Sequence, residues 1–480
     1  MLTGPPESKI KITSFAVVIS TILLLASVTS IPFCTGDALT DSADYEWYDE
    51  QSNPYVIKTA ADLKGLANIV NGDDDRMVYD FTECTIELET DIDLKGYCWL
   101  PIGLAKYSYD IDDVIEGDPV FSGTFDGKGH VISNMTVNTS NTDLEDYSTG
   151  LFGTIDRGEI KNLTLLNCKV TGRSDLGMLA GIARNTNVSN VYVTDGSVNS
   201  IGSSSFCVGG IIGWFYCKGI QSEYQSCNLE YCSNSSDITV DSSSISMYTG
   251  GITGALESLL LPVALSMCYN TGNITVRSAV SSSLIGGISG WEIANTEGNA
   301  TIAWCYNTGR ISVDSPVPSD IGGIVGSSVC NKDGALIFID SYNIGDIYAK
   351  GEKIGGIIGS INLDNAQVSI IDFNYYNTDT CSVDTAVGKG LKFTENTYGL
   401  KNWEMTGSNA VYHMIFNENT DRISFNGGVC YPGLVSVSPD GSTYYPNVID
   451  VNENAENIAT IISILIVTTI VTIVIGKSRQ

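Results

Sequence analysis

The chain has 480 residues, with 55 Asp and Glu against 25 Lys and Arg, and a formal net charge of -30. An acidic surface repels phosphate backbones, which excludes nucleic acid as a partner. Only 17% of residues are charged, so Ser, Thr, Asn and Gly supply most of the polar surface. That composition is common in exterior β-rich proteins and unusual in cytosolic enzymes.

Residues 1–36 read as a secretory signal peptide. Lys9 and Lys11 form a basic flank, and Phe15 to Ala26 is an apolar run too short for an ordinary spanning helix. Ser27, Thr29 and Ser30 follow. Cleavage near Ala26 to Val28, cleavage near Gly36 to Ala38, and an uncleaved anchor all fit this layout. Residues 37–145 form an N-terminal segment that includes the first coils. Its carboxylates cluster at Asp73, Asp74 and Asp75, at Asp91 and Asp93, and at Asp110, Asp112, Asp113, Glu116 and Asp118. Oxygen-rich loops suit calcium, but no EF-hand spacing is present, so a solvated acidic loop is the plainer expectation. Gly127-Lys128-Gly129-His130 lacks P-loop spacing and reads as a turn.

A repeat then sets in over 146–380. Gly209-Gly-Ile-Ile-Gly213 recurs as Gly250-Gly-Ile-Thr-Gly254, Gly286-Gly-Ile-Ser-Gly290, Gly322-Gly-Ile-Val-Gly326 and Gly355-Gly-Ile-Ile-Gly359. Looser copies end at Gly153 and Gly181, which makes seven units 28 to 41 residues apart. A second element keeps step: Cys268-Tyr-Asn-Thr-Gly-Asn-Ile-Thr-Val276, Cys305-Tyr-Asn-Thr-Gly-Arg-Ile-Ser-Val313 and Ser341-Tyr-Asn-Ile-Gly-Asp-Ile-Tyr-Ala349. Glycine weakens a strand, so repeating it at fixed places implies a shared corner geometry. Asn-Thr-Gly reads as a turn with positive φ, and the following Ile-x-Val as a short strand. A unit this small buries its apolar face only by stacking on its neighbours.

The expected fold is therefore all-β: a parallel β-helix or β-solenoid of about seven repeats, with a short N-terminal helix. If one repeat is one coil, Tyr269, Tyr306, Tyr342 and Tyr376 stack, and so do Asn270, Asn307, Asn343 and Asn377. Cys232, Cys268 and Cys305 then form a column, either of small interior residues or of metal-binding or disulfide sulfurs. Among the thirteen cysteines, Cys207, Cys217, Cys227 and Cys232 are the densest cluster, and no Cys-x-x-Cys pair occurs.

These copies resemble GLUG-motif repeats. Tyr55-Val-Ile-Lys-Thr-Ala-Ala-Asp-Leu63 is similar to the opening helix of such proteins. Trp99 to Gly103 and Phe121 to Val137 are similar to their first coils, and Cys430-Tyr-Pro-Gly-Leu434 to their closing element. The resemblance implies a bacterial or archaeal cell-surface, adhesin-like protein. It implies no substrate, since the motif is structural.

After the repeats come a cap over 381–440, a stalk over 441–457 and a second apolar run, Ile458 to Ile475. Eighteen residues rise about 27 Å as a helix, close to the hydrocarbon thickness. Lys477 and Arg479 follow the run, so the expectation is a single membrane anchor with residues 476–480 in the cytoplasm and the bulk of the chain outside. That location gives meaning to the Asn-x-Ser/Thr sequons at Asn134, Asn138, Asn162, Asn187, Asn234, Asn273 and Asn299 as glycosylation sites. Trp214, Phe215, Tyr216 and Tyr224, in the longer insert after Gly213, are candidates for stacking on sugar rings, or alternatively fill the coil.

No catalytic constellation is legible. The two histidines, His130 and His413, cannot form a His-Glu-x-x-His pair. The column Asp237, Asn273, Arg310 and Asp346 is chemically mixed. The expectation is a binding protein for an extracellular glycan or protein, without enzymatic activity or cofactor. A carbohydrate-active β-helix enzyme and a passive envelope component are the alternatives.

Overall fold

The computed structural model describes residues 43–444, apart from 50–51, 73–77, 106–117, 141–142, 145, 203–206, 220–225, 243–246, 279–282, 296–297, 332, 352, 364–367, 391–395, 417–422, 425–430, 435 and 438–442. The expected signal peptide and membrane anchor lie outside the described residues. Among the described residues, no helix is long and apolar enough to cross a membrane.

One repeat is one coil. In the coil that starts at Val263, the strands Val263–Ser266, Tyr269–Asn270 and Ile274–Ser278 lie along one long face. Ser283–Gly286 forms a second face and Ser289–Asn295 a third. The next coil repeats the plan in parallel register, pairing Leu265 with Ile302, Asn270 with Asn307, Ile274 with Ile311, Gly286 with Gly322 and Trp291 with Ser327. Neighbouring coils are therefore about 4.8 Å apart. The long-face ladder starts at Tyr55–Ile57, well before the glycine repeats, and ends at Thr397–Leu400.

Register converts a repeated sequence into columns. Val198, Ile238, Ile274, Ile311 and Ile347 succeed one another along the stack and all are buried. β-Branched side chains suit this pleated surface. Each contributes about 1.5–3 kcal/mol on burial, against the entropy of ordering it. At the N-terminal side, the helix Ala60–Asn71 joins the same core through Leu63, Leu66, Ile69 and Val70. Thr59 and Asp62 form its capping box, with Asp62 N donating to Thr59 Oγ1 at 3.1 Å and Thr59 N to Asp62 Oδ2 at 3.0 Å. Gly72, at φ 72°, ends it.

The repeated glycines mark a corner where backbones touch. A Cβ on Gly251 would collide with the carbonyl of Gly287 and the amide of Asn270 in the next coil. The turn expected at Asn-Thr-Gly is elsewhere. Positive φ falls on Tyr231, Met267, Trp304, Asp340 and Phe373, between 52° and 56°, one residue before the position of Cys232, Cys268 and Cys305.

The asparagine instead lies inside and forms a ladder. Asn234 Nδ2 donates to Asn270 Oδ1 at 2.9 Å, Asn270 to Asn307 at 2.9 Å, and Asn307 to Asn343 at 2.8 Å. Each Nδ2 also donates to a carbonyl two residues on, as Asn270 does to Gly272. All four residues are fully buried and their amides are satisfied.

The ladder then departs from expectation. Tyr342 pairs with Tyr375 and Asn343 with Tyr376, one residue out of the expected alignment with Tyr376 and Asn377. Asn374 takes up the column of Cys305 and Ser341, accepting from Ser341 N at 3.0 Å. Asn343 Nδ2 finds Cys381 Sγ at 3.0 Å instead. The tyrosines do stack: Tyr269 on Tyr306 at 4.9 Å and Tyr306 on Tyr342 at 5.1 Å.

Cys232, Cys268 and Cys305 are buried free thiols that donate to the carbonyls of Glu230, Ser266 and Ala303 at 3.1, 3.2 and 3.3 Å. They are the small interior residues of the two readings. Burial pushes the Cys305 thiol up to about 12, so it stays protonated. Cys217 and Cys227 form a disulfide that closes the insert between them.

Candidate binding face

The third face carries the candidate site. From Trp214 onward its side chains alternate. Phe215, Leu256, Ala294 and Cys330 belong to the main core. Ile182, Tyr216, Ala255 and Ile293 are buried but lie outside that core cluster. They occupy the outer surface of the sheet, where the side chains cover one another. Two columns run along it. The first is Thr154, Ile182, Trp214, Ala255, Trp291, Ser327 and Ser360, and the second is Asp156, Arg184, Tyr216, Glu257, Ile293, Val329 and Asn362.

The second face meets this surface at a re-entrant corner. Its column Cys207, Tyr248, Leu284, Asp320 and Lys353 leans across the junction. Tyr248 lies 4.7 Å from the ring of Trp291, and Trp214 lies 4.9 Å from that of Tyr216. Burial pushes the Tyr248 hydroxyl up, with Cys207 and Glu257 adding to the effect. Further along, Asp320 accepts from Ser360 Oγ and pairs with Lys353 Nζ at 2.7 Å, while Ser327 Oγ lies 2.9 Å from Ser360 Oγ. At the opposite end Asp156 holds Arg184 in a buried two-point pair, both bonds at 2.7 Å. The face thus runs from a carboxylate held by two arginines, Arg184 and Arg157, through aromatics, to a hydroxyl and carboxylate cluster.

The expected aromatic contacts divide. Phe215 is fully buried in the core and cannot contact a ligand. Trp214 is half-buried on the outer face, and Tyr216 is almost covered. Tyr224 lies outside the described residues. Tyr248 and Trp291 are not among the expected contacts; Trp291 directly follows Gly290 as Trp214 follows Gly213, which is the signal that finds it, whereas Tyr248 reaches Trp291 only across the corner.

The sequons also divide. Asn187, Asn273 and Asn299 are exposed. Asn134, Asn138 and Asn162 are half-buried, and Asn134 and Asn162 donate to Asp93 and Asp126 at 2.8 and 3.0 Å. Asn234 is a rung of the interior ladder, fully buried, so the folded chain has no room for a glycan on it.

Of the acidic clusters, Asp91, Asp93 and Asp118 lie among the described residues. Asp91 Oδ1 accepts from Val131 N at 3.0 Å and lies 3.1 Å from His130 Nδ1. Asp93 Oδ1 accepts from Asn134 and from Lys95 N. These bonds hold both carboxyls below the usual range, with the backbone bond from Val131 leading for Asp91 and the side-chain amide bond from Asn134 for Asp93. Among the described residues no group of three His, Cys, Asp or Glu side chains is placed to hold a metal. The mixed column is a chain of contacts: Asp237 accepts from Asn273 N at 3.0 Å, Asn273 from Arg310 N at 3.2 Å, and Arg310 lies 3.6 Å from Asp346.

No protein-family model matches the sequence. Over 179 residues, 37% of the chain, it is 32% identical to halomucin of Haloquadratum walsbyi, and it spans 2% of that relative's length. A proposed immunoglobulin A1 protease from Bacteroides ovatus superposes with a TM-score of 0.45 and 18% identity, over 67% of this chain and 85% of the other. That similarity is too low to assign an activity. The chain is a repeat protein built as a stacked parallel β-solenoid, similar in part of its sequence to halomucin.

Proposed function

We propose that this chain is an extracellular cell-surface protein whose solenoid is a rigid rod that binds a glycan or protein on an apposed surface, without catalysis. The sequence similarity to halomucin carries the reading. The acidic composition, the exposed sequons at Asn187, Asn273 and Asn299, and the leader and anchor expected at the two ends support it. The GLUG resemblance of the repeats points the same way. A rod of stacked coils suits a binding role because its faces keep the same register over hundreds of residues.

The test begins with intact cells that produce the chain. A membrane-impermeant amine reagent should label its lysines without lysis, and antibody against the coils should block attachment of those cells to glycan-coated or cell-coated surfaces. Labelling only after lysis would sink the surface assignment. Labelling without any effect on attachment would sink the binding role. Peptide mass spectrometry adds a check: Asn187, Asn273 or Asn299 should carry glycan, and Asn234 should be bare.

A further inference from the structure

We infer that the corner between the second and third faces is a binding groove for a linear neutral polysaccharide lying along the solenoid axis. The inference rests on the extracellular binding role proposed above and gives that role a site and a ligand class. Two aromatic pairs define the groove, Trp214 with Tyr216 and Tyr248 with Trp291. Trp214 and Trp291 stand in one column two coils apart, about 10 Å at the spacing of parallel strands. Between them the column holds the small side chain of Ala255, which is fully buried, so the exposed parts of the column are the two tryptophans. Trp214, Tyr248 and Trp291 are all partly exposed.

That spacing suits a chain of pyranose rings. Each ring spans about one coil step, so alternate rings meet an aromatic platform. Beyond Trp291 the column continues as Ser327 and Ser360, with Asp320 and Lys353 beside them. Asp320 and Ser327 are buried, and the partly exposed Ser360 hydroxyl and Lys353 ammonium are the groups placed to meet sugar hydroxyls. From Trp214 to Ser360 is four coil steps, about 19 Å. A few polar groups at the end of an apolar strip is the usual construction of a small-molecule site.

The charge on the face selects the ligand. Asp156 pairs with Arg184 and, at 3.3 Å, with Arg157, Asp320 pairs with Lys353, and Glu257 accepts from Asn295 at 3.1 Å, so these three carboxylates stand against three cations. No surplus of positive charge faces the groove among the described residues, and the chain as a whole carries -30. A polyanionic glycan would be repelled. An extended peptide is disfavoured because the strands here are paired on both sides, which leaves no open edge for strand addition.

The experiment uses the full-length chain, purified in mild detergent. It is titrated with cello- and chito-oligosaccharides of increasing length, followed by tryptophan emission and calorimetry. Affinity should rise with length and level off at about four sugars, the length of the groove. Trp214→Ala and Trp291→Ala should each weaken binding about tenfold or more, and Trp291→Phe should restore much of it. Trp403→Ala, an exposed tryptophan on the cap, should change nothing. Circular dichroism and melting curves of each variant separate lost binding from lost folding. If neither series binds, or if the Trp214→Ala/Trp291→Ala double variant binds as the parent does, the groove is not the site. Attachment of cells carrying that double variant separates the two ideas. Undiminished attachment together with either of those results overturns the groove and leaves the surface-binding role standing.

Discussion

Glu292 is a carboxyl sealed inside the solenoid. One oxygen accepts from Ser328 Oγ at 2.7 Å, and Oε1 has no hydrogen-bond partner among the described residues. Burial raises its pKa to about 8, so the folded chain holds a proton there that the unfolded chain releases above about 4.5. The native state then binds more protons than the unfolded state between those values, and stability falls as pH rises through that window. At pH 7 the loss is about 3 kcal/mol. Glu292→Gln should raise the melting temperature at pH 7 and flatten its pH dependence between about 4.5 and 8, as read by differential scanning calorimetry. Asn307 tests the interior ladder. Asn307→Ala orphans the Oδ1-to-Nδ2 rungs on both sides and the Gly309 backbone, at about 1–3 kcal/mol for each buried group. The recurrence of Asn270, Asn307 and Asn343 was legible in sequence. Their burial was not, because Tyr-Asn-Thr-Gly has the composition of an exposed turn, and only stacking gives the side-chain amide a partner in the next coil.

At the scale of the coil, the corner glycines and the left-handed residues are complementary cases. The glycines could be read in advance because absence of a Cβ is visible in the sequence. Gly287→Ala would drive a Cβ into the carbonyl of Gly323 and the amide of Asn307, so neither partner can yield cheaply. It should lower the melting temperature sharply or prevent folding. Gly351→Ala is the control, since its nearest neighbours lie 3.9 Å away. The left-handed turns were invisible. Met267, Trp304 and Phe373 adopt φ above 50° with side chains that ordinarily avoid it. The ladder bonds on either side hold them there, such as Met267 N to Ala303 O at 3.2 Å and Trp304 N to Ile339 O at 3.2 Å. A conformation imposed by neighbouring coils leaves no local signature. The outer corner depends on stacking in the same way: Tyr248 and Trp291 are separated by 43 residues and meet only because neighbouring coils bring them together.

Across the molecule, the segment that follows the last coil does not simply plug an open end. Residues 400–416 and 431–434 lie back along the flank and form a second core with Tyr306, Tyr342 and Tyr375, through Leu400, Met405, Ala410, Met414 and Tyr431. Tyr375 Oη donates to Ile415 O at 2.7 Å, and Tyr342 Oη donates to Pro432 O. Asn377 Nδ2 donates to Tyr431 Oη at 2.7 Å. Tyr431→Phe removes that acceptor from a buried amide. It should make residues 400–434 the first cut in limited proteolysis, while the coils from 55 to 377 stay protected. The closing element was foreseeable from Cys430-Tyr-Pro-Gly-Leu434; its docking place was not, since that depends on which side of the sheet the tyrosines leave. The asparagine ladder stops at Asn343, because Tyr376 stands where the next rung belongs. That seam would be the first to peel under tension applied at the C-terminal side. It is also the seam crossed by Thr380 Oγ1 to Ile344 O at 2.7 Å and Cys381 Sγ to Gly345 O at 3.1 Å, and overlain by the returning segment. Pulling on the chain from beyond the cap therefore loads the strap in shear before the coils can unzip one at a time, so a rod built from weak, separable rungs resists force as a tied bundle.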